Sequence, residues 1–154
     1  MKSKVATRRS SKSFKAKPGF TIIELVTVIV ILGILSAVAL PVYLDYKTDA
    51  QKAACKGVLG AMRAGIANFY AYKATESGGG TAGYPTLAEL TTVATVMIDT
   101  IADNPYDADA TKNNVVDGTG VAKGTVTGGS GGWQYNPTTG QIWPNTNTIG
   151  ENAY

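Results

Sequence analysis

Hydrophobicity changes character several times along the chain. From Phe20 to Leu44 the residues FTIIELVTVIVILGILSAVALPVYL are apolar apart from one charge, Glu24. About 20 apolar residues at 1.5 Å rise cross a bilayer, so this run predicts a membrane-spanning helix. After Pro41 the pattern turns amphipathic: Ala54, Val58, Met62, Ile66 and Phe69 or Tyr70 recur at helical spacing, opposite Lys52, Lys56, Arg63 and Lys73. One helix is therefore expected from Phe20 to about Tyr72, kinked at Pro41, where a backbone donor is missing. Gly57, Gly60 and Gly65 weaken it in isolation, so packing must compensate, and their small size permits close approach.

Beyond the helix the signals are shorter. The stretch 76–83, ESGGGTAG, reads as a flexible break. Thr86 with Glu89 three residues on has the spacing of a capping box, predicting a short helix. Residues 103–114 are turn-rich and acidic, and 118–132 are dominated by Gly, Thr and Val, which suits loops with one or two weak strands. The clearest strand signal is Trp133-Gln134-Tyr135-Asn136, a Pro-Thr-Thr-Gly turn, then Gln141-Ile142-Trp143-Pro144, a hairpin. The reading is α+β: a long N-terminal helix packed on a small antiparallel sheet, divided into 1–19, 20–44, 45–73 and a head over 74–154.

Charge sharpens that division. The 154 residues carry a net charge of +3, but seven of the 14 cations precede Phe20 with no acid among them. The seven remaining cations against 11 acids leave about −4 from Phe20 onward. Placed before an apolar run, the basic block holds the N-terminus on the cytoplasmic side and sends everything after Tyr43 across the membrane. That use displaces a phosphate-binding role for the block, and no specific nucleic-acid partner is expected.

The side-chain inventory argues against catalysis. There is no histidine, Cys55 is the single cysteine, and no glycine-rich phosphate loop is present. Cys55 is expected to pack as a small apolar residue, and Trp133, Tyr135 and Trp143 to form head core, with carbohydrate contact as the alternative. Asp107, Asp109 and Asp117, with Asn113 and Asn114, offer hard oxygen donors to calcium, the one cofactor the chain suggests, although without EF-hand spacing. A solvated acidic loop is the other reading.

The most specific signal is Lys17-Pro18-Gly19-Phe20-Thr21-Ile22-Ile23-Glu24-Leu25. Glycine before a scissile bond gives a protease an accessible backbone. Basic leader, Gly-Phe, lone Glu and apolar run together resemble the class III signal of type IV prepilins and type II secretion pseudopilins. The resemblance implies a pilin fold, cleavage between Gly19 and Phe20 by a prepilin peptidase, and N-methylation of Phe20 by the same enzyme. It also implies assembly of a homo-oligomeric helical filament through Phe20, Glu24 and Pro41, with Glu24 meeting the Phe20 amine of a neighbour and the stretch from Gly33 to Pro41 able to melt. Pilus or secretion machinery would be a partner. The location would be the inner membrane before assembly, and a surface pilus or periplasmic pseudopilus after it.

Three other origins for this segment compete. An uncleaved signal anchor would leave Glu24 a tolerated polar residue. Ser36-Ala37-Val38-Ala39 has the small-x-small pattern of signal peptidase, but it follows an apolar run that is long and contains a carboxylate. Arg8-Arg9 lacks the following Phe-Leu of a twin-arginine leader. The expected role is therefore a structural pilus subunit, with a major pseudopilin or a membrane-anchored binding protein that never polymerises as alternatives. In the head, Asn104-Pro105-Tyr106 and GGWQYNPTTGQIWPN resemble small pilin heads. Many of those staple the C-terminal loop with a disulfide, which this chain cannot form.

Overall fold

The computed structural model describes residues 19–154, so the basic leader expected over 1–18 lies outside the described residues. The chain forms two compact units, the first ending at Val42 and the second comprising Tyr43–Tyr154. One helix, α1 (Ile22–Lys73), contributes to both, and its assignment continues through Pro41. Its ends fall within two residues of those expected.

In the first unit every described residue is exposed. The apolar part of α1 reaches a mean hydropathy of 2.8 and is long enough to cross a membrane. A helix satisfies its own backbone there, and Thr27 Oγ1 donates to the Ile23 carbonyl at 2.8 Å, which removes a free hydroxyl from an apolar surface.

The second unit has a core. Along α1, Cys55, Leu59, Met62 and Ile66 are buried in steps of four, three and four. The buried line is thus shifted one position from the expected Ala54 and Val58: Ala54 is exposed and Val58 half-buried. Burying Leu59 removes more apolar surface from water than burying an alanine, and that settles the rotation. The loop after α1 is more ordered than its glycines suggest. Thr75 caps a short 3-10 turn (Glu76–Gly78), and Gly79 closes it in the left-handed region. Helix α2 (Leu87–Thr91) then starts as expected at Thr86, with both capping-box bonds formed.

Three strands follow, β1 (Val115–Asp117), β2 (Trp133–Asn136) and β3 (Gln141–Pro144). β2 and β3 form the expected antiparallel hairpin, with Tyr135 opposite Ile142 and Gln134 opposite Trp143. The sheet as a whole is mixed, because β1 joins β2 in parallel. Parallel neighbours need a crossover of a dozen or more residues, and the Gly- and Thr-rich segment 118–132 supplies it. Trp133, Tyr135 and Ile142 join the helix residues in the main cluster with Leu90 and Ile101. Trp143 shares the opposite face with Gln134, where Trp143 Nε1 donates to Thr125 O of the crossover at 3.0 Å. Covered on both faces, β2 is buried at all four positions, not at alternate ones.

The polar ends of Trp133 and Tyr135 are satisfied: Trp133 Nε1 donates to Ala102 O at 2.8 Å and Tyr135 Oη to Pro85 O at 2.7 Å. The hairpin turn closes with Gly140 at φ 70, where a Cβ would stand 2.4 Å from the Tyr84 ring. Asn104 is fully buried and donates to Gly132 O at 2.7 Å and to Thr146 Oγ1 at 3.1 Å. The Asn-Pro-Tyr segment therefore ties the acidic loop to the start of the hairpin and to the chain beyond it.

Candidate processing and assembly site

Gly19 and Phe20 precede α1 in non-helical backbone, and Phe20 is 95% exposed. Nothing lies within 4 Å of where a Gly19 Cβ would be. The peptide bond between them is thus open to an enzyme and held by no secondary structure.

Thr21 starts the helix. Its carbonyl accepts from Leu25 N at 3.2 Å, and its hydroxyl accepts from Glu24 N at 3.2 Å. In return Glu24 Oε2 accepts from Thr21 N at 2.8 Å and from Thr21 Oγ1 at 2.9 Å. These reciprocal bonds make a capping box, equal in its distances to that of Thr86 and Glu89. Thr21 is a residue the sequence reading passed over, although Thr-x-x-Glu was the signal it used at Thr86. Glu24 Oε1 has no hydrogen-bond partner among the described residues. The carboxylate therefore does local work at the helix start. Pro41 is exposed within α1.

The calcium donors are not brought together. Asp107 Oδ1 accepts from Asp109 N at 2.9 Å, a turn closed within the loop itself. Asp117, in β1, accepts from Thr119 N at 2.8 Å and from Thr119 Oγ1 at 2.6 Å, bonds that hold its carboxyl below the usual range. Among the described residues no three His, Cys, Asp or Glu side chains form a group that could hold a metal ion. Cys55 is fully buried, and burial, followed by the charge of Glu151, pushes its thiol up to about 11. It stays protonated at neutral pH, as a packing residue should.

An exposed apolar helix, an open Gly-Phe bond at its start and a small α+β head together define a pilin-like protein. The family described as the prokaryotic N-terminal methylation motif matches residues 14–40. The chain is 33% identical over 113 residues to a fimbrial protein of Pseudomonas aeruginosa, covering 73% of this chain and 61% of that one. It is 47% identical over 51 residues to the type IV major alpha-pilin of Moraxella bovis, 33% of this chain and 32% of the relative. Over 33 residues it is 67% identical to the type IV major pilin protein PilE of Neisseria gonorrhoeae, 21% of this chain and 20% of the relative. The matches thus span between a fifth and about three fifths of these relatives' lengths. No solved structure matches the chain. Over these stretches the chain is similar to type IV prepilins, most strongly in its N-terminal methylation motif.

Proposed function

We propose that this protein is cut between Gly19 and Phe20, methylated on the new Phe20 amine, and assembled through α1 as a structural subunit of a type IV pilus. Before assembly it is a single-pass membrane protein with a cytoplasmic N-terminus and its head on the far side. The observation that carries this reading is the first part of α1, apolar on every side with no residue buried. Such a surface is stable in lipid or against other copies and nowhere else. The relatives' names, pilin and fimbrial protein, favour a pilus over a secretion pseudopilus. The role is structural, not enzymatic.

Intact-mass measurement and electron microscopy of the cell surface test this together. The expected results are a mature chain beginning at monomethylated Phe20 and a filament that vanishes when the gene is deleted. A mature chain beginning at Leu40 would mean that signal peptidase removes the anchor. An unchanged filament population after deletion would remove the pilus role.

A further inference from the structure

With a single cysteine in the chain, the segment 145–154 has no intrachain disulfide to hold it, yet Asn145 and Glu151 are both buried. Glu151 opens a short 3-10 turn (Glu151–Ala153) entered through Gly150 at φ 86. Its carboxylate receives the N–H of Thr148 at 2.9 and 3.0 Å on its two oxygens, and the N–H of Ile149 at 2.8 Å on Oε2. Both ends of the segment are tied to the crossover: Asn145 Nδ2 donates to Gly131 O at 3.0 Å and Asn152 Nδ2 to Gly124 O at 2.6 Å. From α1, Arg63 Nη2 donates to Tyr154 O at 2.6 Å and to Ile142 O at 3.0 Å. Lys56 Nζ lies 4.7 Å above the Tyr154 ring, and Tyr154 packs against the core cluster that contains Cys55.

From these contacts we propose that residues 145–154 form a noncovalent strap closing the head beside Cys55, latched by the buried carboxylate of Glu151 and released when that carboxylate is protonated. An ionised carboxylate only accepts, which suits a site lined by backbone N–H groups. Protonation puts a donor among donors and removes the charge that strengthens these bonds. The titratable and charged groups around the same edge of the core are Cys55, Lys56 and Arg63 of α1, Tyr106 of the acidic loop, and Tyr154. Burial pushes Cys55 up to about 11 and Tyr106 up to about 12, so neither changes charge in acid.

For Glu151 burial opposes the charge, but the Thr148 and Ile149 N–H bonds, together with the Thr146 hydroxyl and the N–H of Glu151 itself, outweigh it and hold the group below its ordinary 4.5. A lowered folded value means that the latch contributes fully above the ordinary carboxylate range and is lost as pH falls through that lowered value.

The test uses the full chain in detergent micelles and 4,4′-dithiodipyridine, a disulfide reagent that reacts with thiols in acid as well as at neutral pH, to time the labelling of Cys55. Wild type is expected to label slowly at pH 7 and about tenfold faster or more at pH 3. Glu151→Gln, which keeps one acceptor oxygen but loses the charge and turns an NH2 toward the Thr148 N–H, is expected to label at the fast rate at both pH values. A Glu151→Gln variant that labels at pH 7 as slowly as wild type overturns the latch. Should that variant not fold, amide exchange in wild type decides, corrected for intrinsic pH dependence. Protection at Thr148 and Ile149 lost at pH 3 while β2 stays protected supports the strap. Retained protection, or loss in β2 at the same time, overturns it.

Discussion

The two parts of α1 obey the same backbone rules and opposite surface rules. Up to Leu44 the side chains are large, apolar and exposed, and no packing within the chain distinguishes one side of the helix from another. Between Cys55 and Ile66 one narrow line is buried, and the positions between carry Ala, Gly, Lys and Arg. The second part has its partner in its own chain, the sheet with Trp133, Tyr135 and Ile142. The first has none among the described residues.

The strongest test of that independence is Trp133→Ala. Removing a fully buried Trp should cost about 3–5 kcal/mol and lower the melting temperature of the head sharply in circular dichroism. Membrane insertion and cleavage at Gly19 should persist, because nothing in the first unit depends on that core. Loss of processing in a membrane-inserted Trp133→Ala precursor would show that the peptidase reads the head as well.

A smaller effect separates the two uses of Glu24. Thr21→Ala removes the helix cap at about 1 kcal/mol and leaves the carboxylate in place, whereas Glu24→Ala loses only the carboxylate's half of the box and keeps the bond from the backbone N–H of residue 24 to Thr21 Oγ1. If Glu24 pairs with the Phe20 amine of a neighbour, Thr21→Ala keeps filaments and Glu24→Ala loses them, with insertion and cleavage normal in both. Equal loss in the two variants would assign the effect to the helix start. Thr86→Ala is the matched control in the head, where the same box should be worth about 1 kcal/mol of melting stability and nothing in assembly.

How much of this was legible in the sequence follows the range of each interaction. The ends of α1, the α2 cap and the β2–β3 hairpin rest on signals within a few residues, and all appear where expected. The Gly19–Phe20 bond and Glu24 were legible as a motif, but the resemblance gave Glu24 a role between subunits and hid its bond to Thr21. The parallel partner of β2 was not legible, since β1 is three residues long and reaches β2 through a crossover without periodicity. The calcium reading rested on proximity in sequence, which is not convergence in space: Asp107 and Asp117 each close a turn of their own. Glu151 escaped notice because a carboxylate is ordinarily exposed, and the neighbouring donors, the N–H groups of Thr148 and Ile149 foremost, make its burial tolerable.

The smallest expected effect concerns the glycines of the second part of α1. A Cβ on Gly65 would stand 2.7 Å from Met97 Sδ and 3.2 Å from Val96 O, so that glycine serves packing inside the head. Gly57 and Gly60 are exposed, with nothing within 4 Å of such a Cβ. A helix gains about 0.5–1 kcal/mol when an exposed interior Gly becomes Ala. Gly57→Ala and Gly60→Ala should therefore raise the melting temperature by a few degrees, while Gly65→Ala lowers it. Among the described residues nothing packs against the two exposed glycines, and their small size would permit the close approach of another copy in the proposed filament. That predicts fewer or less regular filaments from the more stable Gly60→Ala subunit. Higher melting temperature with filaments unchanged in number and regularity would leave Gly57 and Gly60 without a part in assembly and place the contacts between copies in the apolar part of α1 instead.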